Sequence, residues 1–514
     1  MKIACQHSLL APTRSAFAPM LRTSQPQASN LCLFTSFADP HTLTPVDSHR
    51  CKKPGGDPCS PDFRVSLFDF PASIFHFQFP IPNFRVTFPR TSTDLGGTSA
   101  MLNRRTFIHQ VAGGAAALAG SSLLPSSRVL GANDRVRFGI IGPGGRGQAI
   151  FKAALRAPNT EAVAAADLYT RRLDEAKKLA PAIKTYSDFR QLLDDKSIDA
   201  VLIATPQHQH ALNFVPAIQA GKDVYQEKTM AFNPDHARRM KRVLQGSDRV
   251  VQIGIQSVSG IAFTKARELA TPERMGNITA IHTHHYRNAP YGGWRRSIPP
   301  DCSLEHIQWK AFEGEAAPHD FNPERYMNWR FYWDYSGGNV FENMVHQVAF
   351  WYKVLNLKIP RSVTMAGYNY FSPDMEVPDN MDVSMDQPEN LLFTWNSGFG
   401  NSYYGEDGND IVLGNKGETF RVADSVSYQA QGERKKRTAA PETPAPAAAK
   451  PDIVGGSDET DAHMRNFFDC VRSRKEPDAP FDLGYRSAIA CQMAIASLRQ
   501  GRTVKWDSEA EDIV

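Results

Sequence analysis

VRFGIIGPGGRG, Val136 to Gly147, decides how the rest of the chain is read. An apolar run of strand length passes without a break into a glycine-rich turn, and QAIFKAALRA after it has helical character. Gly142, Gly144 and Gly147 thus form G-x-G-x-x-G between a strand and a helix, the context that gives the pattern its meaning. Gly142 permits the tight turn, Gly144 lets backbone approach a pyrophosphate, and Gly147 lets the helix pack close to the strand. Gly145 and Arg146 complete the turn, and the helix N-terminus offers unpaired N–H groups to phosphates.

The next apolar strand, EAVAAAD, ends at Asp167, twenty residues after Gly147. A carboxylate there accepts both ribose hydroxyls of an adenosine and repels a 2′-phosphate, which favours NAD. Arg171 and Arg172 follow closely and leave NADP possible. The plainer reading is an aspartate that caps the next helix. Alternation then continues through DAVLIATP (Asp199 to Pro206), a helix to Ala220, DVYQEK (Asp223 to Lys228), a helix after Pro234 and VVQIGI (Val250 to Ile255). That order specifies a parallel sheet with helices on both faces, an N-terminal Rossmann domain over residues 133–256. Thr205, Pro206, Glu227 and Lys228 fall at the carboxyl ends of its strands, where the nicotinamide would lie.

The remaining segments set the limits of the chain. Residues 257–506 are long enough for a second domain, interrupted by a Pro/Ala-rich loop at 431–452 and followed by a tail at 507–514. DAHMRNFFDCVRS after the loop is expected to return to the second domain. A net charge of +4, with no basic block beyond RKKR at Arg434 to Arg437, is not a nucleic-acid footprint. Cys302, Cys470 and Cys491 form no C-x-x-C, so no zinc site is indicated. Upstream, MLNRRTFIHQVAGGAAALAG (Met101 to Gly120) has the form of a twin-arginine export signal, assigned to residues 101–132. Its mild apolar run is shorter than the roughly 20 residues of a membrane span, so export, as to a periplasm, is expected rather than a stable membrane anchor. Residues 1–100 hold four of the seven cysteines and many prolines, which predicts a misassigned start or a disordered extension ahead of a true beginning at Met101.

GIIGPGGRG, IATPQHQHA, AGKDVYQEKT and SGGNVFENMVH together resemble the glucose-fructose oxidoreductase and inositol dehydrogenase family, Gfo/Idh/MocA, over about residues 134 to 506. The resemblance implies an α/β chain: a Rossmann domain, then a C-terminal α/β domain with a large open antiparallel sheet that often forms homo-oligomers. His210 joins the cofactor-binding set with the residues above. The family's E-K-P matches Glu227-Lys228-Thr229, with threonine for proline, and implies that Lys228 touches the reacting hydroxyl. Its D-x-x-x-H matches Glu342 to His346, with glutamate for aspartate.

Taken from the residues alone, Asn339 to Leu355 is a helix whose stripe of Phe341, Met344, Val345, Val348, Tyr352 and Leu355 leaves Glu342 and His346 on another face. An ordinary solvated face competes with a catalytic pair there. Gly337-Gly338 is expected to let a ligand approach the backbone. Hydride leaves a carbinol carbon only as the hydroxyl proton departs, and a histidine of ordinary pKa about 6.5 suits that proton. His346 is therefore read as general acid/base, Lys228 as the cation on the same oxygen and Glu342 as an orienting carboxylate, with no metal.

Between Tyr286 and Tyr335, Tyr291, Trp294, Trp309, Tyr326, Trp329, Tyr332 and Trp333 interleave with Arg295, Arg296, Arg325 and Arg330. About a third of these aromatics are expected to face a carbohydrate. Arg330 is the foremost substrate contact, with Trp329 and Asn343 beside it, while His282, His284 and His285 are structural. Three functions follow. One is an exported NAD(P)-dependent oxidoreductase for a sugar, polyol or sugar derivative with tightly bound cofactor. Another is a glycoside hydrolase or epimerase using NAD in an internal redox cycle. The last is a non-catalytic NAD-binding protein.

Overall fold

The structure, a computed structural model, describes residues 135–290, 292–402, 409–432 and 459–514. The expectations for residues 1–100, for the signal at 101–132, for Tyr291 and for all but the first two residues of the 431–452 loop lie outside the described residues.

The first domain alternates as the apolar runs predict. Its elements are β1 (Val136–Ile141), α1 (Gly145–Arg156), β2 (Thr160–Ala166), α2 (Thr170–Leu179), β3 (Lys184–Tyr186), α3 (Phe189–Asp194), β4 (Ala200–Ile203), α4 (His210–Gln219), β5 (Asp223–Glu227), α5 (Pro234–Leu244) and β6 (Val251–Gly254). The strands lie in the order β3-β2-β1-β4-β5-β6 and every pair is parallel. β4 and β6 are buried throughout, as strands covered on both faces must be. Strand order reverses beside β1, which opens a crevice at the carboxyl ends of β1 and β4.

The second sheet has nine strands: β7 (Ile278–Tyr286), β8 (Ser362–Tyr368), β9 (Asn380–Gln387), β10 (Leu391–Gly398), β11 (Asn409–Gly414), β12 (Gly417–Val422), β13 (Ser425–Ala430), β14 (Val504–Asp507) and β15 (Asp512–Ile513). Their order is β13-β12-β11-β7-β10-β9-β8-β14-β15. The expected antiparallel sheet is in fact mixed, because β7 and β10 pair in parallel. β7 leaves the sheet for a long excursion before β8, and a crossover of that kind is what a parallel neighbour needs. Along β9, Met381, Val383 and Met385 turn into the core while Asn380, Asp382 and Ser384 face outward, so one face is open. The covered face packs on α7 (Val345–Leu355) and α9 (Phe481–Gln500), which follow α6 (Ile261–Leu269) and flank α8 (Glu459–Ser473) in chain order.

Two segments differ from expectation. Helix α8 packs on the first domain: Met464, Phe467 and Phe468 join Phe138 and Phe151 in one core, and Arg156 binds Asp461. The outer apolar face of α1 needs a cover, and the phenylalanines of FFDC supply it. Residues 507–514 are likewise no loose tail, since β14 and β15 form a hairpin closed by Lys505 and Val514 at the sheet edge.

Candidate active site

Gly142 has φ +83°, and a Cβ there would press within 2.9 Å of the backbone of Ala204 and Thr205. A Cβ on Gly147 would collide with the Gly142 carbonyl, whereas Gly144 and Gly145 face open space. Two glycines therefore hold the turn, and two leave room at the N-terminus of α1, a fit for the phosphates of a dinucleotide. This turn is part of the wall of a cavity of about 940 Å³ that takes in Asp167 and Arg172, Gly142, Gly144 and Gly145, Thr205 and Pro206, and Lys228, Trp329 and Arg330.

At the Asp167 end, the carboxylate accepts the Tyr169 N–H at 2.9 Å. Burial pushes its carboxyl up to about 7, against the pull of that N–H and of Arg172. Arg171 is drawn away to Asp301, which it meets at 2.9 and 3.0 Å through Nε. Arg172 borders the cavity and is paired with Glu175 at 2.7 Å. A segment of the second domain is clasped over this end: Gln308 N–H donates to the Leu168 carbonyl at 3.0 Å, and Thr170 N–H to that of His306 at 3.1 Å. Tyr169 packs on Cys302 and Ile307 and meets Tyr326 edge-on, ring centroids 5.8 Å apart.

At the other end Lys228, one residue past β5, donates to Glu342 Oε2 at 2.7 Å and to the Glu342 carbonyl at 2.9 Å. The Lys228-Thr229 peptide is cis, and Thr229 donates to the Phe341 carbonyl at 2.7 Å. Glu342 Oε1 accepts from Gln207 Nε2 at 2.7 Å and faces Arg330 Nε at 3.1 Å. Burial works against the Glu342 charge, but Arg330 and Lys228 outweigh it and hold the carboxyl at about 2. With its oxygens so engaged, Glu342 directs Lys228. The helix also starts differently, with a π turn over Val340–Met344 before α7. The wider turn changes how Glu342 and His346 stand over one another. His346 is half-buried, and burial, then Lys228 and Arg146, keep its imidazole well below the ordinary value and hence neutral at neutral pH.

Several residues take roles other than those expected. His210 is fully buried, its ring nitrogens 2.7 Å from the Thr229 carbonyl and 2.9 Å from that of Thr205, so it fastens two rim loops and does not reach the cavity. Glu227 accepts from Arg146 Nε at 2.9 Å and Gln256 at 3.1 Å, so these two cofactor candidates hold each other. Thr205 Oγ1 donates to Asn213 at 2.9 Å. Gly337 and Gly338 do not open the backbone to a ligand: side chains there would strike Phe341 and Val377, and Gly338 has φ +57°. His346 and Asn343 are not part of the cavity wall, and Asn343 donates to Asn339 at 2.6 Å. Of the aromatics, Trp294, Tyr326 and Trp329 line the cavity, while Trp309 stacks on Phe312 and Trp333 meets Arg499. Arg295 is taken up by Glu324, and Arg325 by Glu376. Gln207, which bridges Ser336 and Glu342, was not singled out in the sequence, although its place right after Pro206 at a strand end marks the same rim. Among the described residues no cluster of His, Cys, Asp and Glu is arranged to hold a metal.

Comparison with known proteins agrees with this geometry. Residues 136–255 match the Gfo/Idh/MocA model, described as oxidoreductase family, NAD-binding Rossmann fold. A glycosyl hydrolase family 109 protein of Stenotrophomonas maltophilia is 37% identical over 131 residues, 23% of this chain and 28% of that protein. Inositol 2-dehydrogenase of Salmonella typhimurium is 28% identical over 154 residues, 29% of this chain and 46% of that one. The chain thus spans less than half the length of either relative. Among solved structures, a levoglucosan dehydrogenase complexed with NADH and levoglucosan superposes with a TM-score of 0.55 at 16% identity, over 72% of this chain and 99% of that one. An aldose-aldose oxidoreductase from Caulobacter crescentus gives 0.53 at 19%, over 72% and 99%. These similarities extend the shared fold across both domains. Over residues 136–255 the first domain is similar to the NAD-binding Rossmann fold of the Gfo/Idh/MocA oxidoreductases.

Proposed function

We propose that this chain, with its NAD-binding Gfo/Idh/MocA domain, is an oxidoreductase that moves hydride between NAD and a hydroxyl-bearing carbon of a sugar, polyol or sugar derivative. The observation that carries the reading is Lys228, fixed by Glu342 at the end of β5 in the same cavity as the glycine turn. NAD, when bound, supplies the hydride acceptor. Gly144, Gly145 and the N-terminus of α1 would hold its phosphates, Asp167 its adenosine ribose, and Thr205 and Pro206 the approach to the nicotinamide. Lys228 hydrogen-bonds the substrate hydroxyl and steadies its oxygen as the proton leaves. His346, neutral and within electrostatic reach of Lys228 but outside the cavity wall as it stands, is assigned to receive that proton once substrate is bound. Glu342 is a positioning residue: without it the ammonium would lose both its direction and its counter-charge.

The cofactor is proposed to stay bound between turnovers. The test is to purify the protein without added cofactor, dialyse it extensively and assay it with sugars alone, following both bound NADH and glycosidic products. Reduction of bound cofactor by a sugar is expected. Strict need for added NAD, with NADH collecting in solution, would overturn retention, and no reduction with any polyol would overturn the oxidoreductase reading. A redox-assisted glycoside hydrolase is the second reading, favoured by the relative from Stenotrophomonas; glycosidic cleavage without net NADH would select it. Export by the twin-arginine route, with activity residing in the chain from Met101 onward, belongs to the same proposal and is supported by the Arg104-Arg105 pair. Arg104→Lys with Arg105→Lys should retain the protein in the cytoplasm, and unchanged export would refute that route. Association of copies through the open face of the second sheet is proposed likewise.

A further inference from the structure

The Lys228 end of the cavity carries more positive charge than it neutralises. Lys228, Arg330 and Arg296 all line the wall, and Glu342 is the carboxylate set among them. Arg330 Nε lies 3.1 Å from Glu342 Oε1 without forming a hydrogen bond, and its guanidinium donates no hydrogen bond to a described residue. Its guanidinium lies 4.2 Å over the Trp329 ring, which fixes the plane of the group. Arg296 is held by its backbone, not by its charge. Its N–H donates to Asn328 Oδ1 at 2.6 Å and its carbonyl accepts from Asn328 Nδ2 at 3.1 Å, with Asn328 buried two residues before Arg330. The Arg296 guanidinium has no ion pair or hydrogen bond to any described residue.

Arg330 is half-buried and Arg296 is exposed at the cavity wall, so the two guanidiniums beside the single Glu342 carboxylate leave positive charge available to a further anion. The cofactor diphosphate is already provided for at the glycine turn. Trp294, two residues before Arg296, lies under Arg287, which in turn reaches Asn343, next to Glu342 in the chain. That places the unused charge with the substrate.

We propose that the substrate is a sugar or polyol bearing a carboxylate, gripped by Arg330 and Arg296. A planar guanidinium matches a carboxylate with two parallel bonds; stacking on Trp329 preorganises Arg330 for it, and Arg296 adds a second, exposed cation on the same wall. The proposal rests on the oxidoreductase reading for the sugar part of the ligand. To test it, NADH-loaded protein is titrated with glucuronate and gluconate, with glucose and sorbitol as neutral parents, and with a hexose phosphate ester, at low and high salt, by the fluorescence of bound NADH. The acids should bind at least about tenfold more tightly than their parents, and the difference should shrink with salt. Arg330→Met and Arg296→Met should each bring the acid-to-neutral ratio toward one while NADH fluorescence reports an intact fold.

Equal affinity for acids and parents, or no binding of either acid, overturns the proposal. Tighter binding of the phosphate ester overturns the carboxylate. Loss of NADH affinity in Arg296→Met as large as the loss for acids gives that arginine to the cofactor and overturns its assignment. In a parallel sample loaded with oxidised NAD, acid binding without hydride transfer upholds this proposal and defeats the oxidoreductase reading, whereas reduction of that NAD by neutral sugars alone does the reverse.

Discussion

Lys228→Ala and His346→Ala should each lower turnover by about 10²-fold or more while the cofactor remains bound. The two losses have different origins. Lys228 is directed by Glu342 Oε2 at 2.7 Å and by the Glu342 carbonyl at 2.9 Å, so on the proposed mechanism its removal takes away the charge that would steady the developing alkoxide. On the proposed mechanism His346 is the neutral imidazole that receives the proton, and its removal takes away that acceptor. Single-turnover measurements with bound NAD separate these steps from product release. Rescue by imidazole should help His346→Ala alone. Undiminished turnover in either variant would return that residue to a packing role.

Asp167→Ala should weaken NAD by roughly 10²-fold, two charge-assisted hydrogen bonds to ribose being lost, while NADP changes far less because the same substitution removes repulsion. A pH dependence accompanies this. Burial raises the Asp167 carboxyl from 3.8 to about 7, so the free protein holds a proton there that the unfolded chain would have released. Accepting both ribose hydroxyls needs the carboxylate. NAD affinity should therefore climb about tenfold per pH unit below 7 and level off above it, and the slope should be absent in Asp167→Ala. The cofactor-free protein should lose stability as pH rises from about 4 to about 7, since folding opposes ionisation across that window. Equilibrium binding and thermal unfolding across pH check both, and a flat NAD profile in the parent protein would contradict them.

How far the sequence could be read depended on the range of the interaction. VRFGIIG and the runs after it announce strands covered on both faces, because burial on two sides leaves no polar alternation, and G-x-G-x-x-G places the phosphate end. That Asp167 and Lys228 would stand at one rim was legible because each follows a strand end, and Arg330, on the same cavity wall, was singled out by its place among interleaved aromatics before the glycine pair. The roles of Glu342, Glu227 and His210 were not, since their partners lie up to 135 residues away and only the tertiary structure joins Gln207 to Glu342 or Arg146 to Glu227. The same holds for α8, whose pattern predicts a buried face but cannot say which domain covers it. Gly337-Gly338 misled for a different reason: paired glycines answer equally to a ligand or to a tight fit against Phe341 and Val377.

The clasp over Asp167 bears on time rather than on affinity alone. Cofactor exchange would require the Leu168–Gln308 and Thr170–His306 backbone bonds and the Arg171–Asp301 fork to open together. On the proposed retention of cofactor, a cooperative event of that kind would be slow beside hydride transfer, and the dinucleotide would have the residence of a prosthetic group. Two substrates would then meet the protein in alternation at one place, the first leaving before the second enters. Their initial-rate plots would run parallel instead of converging.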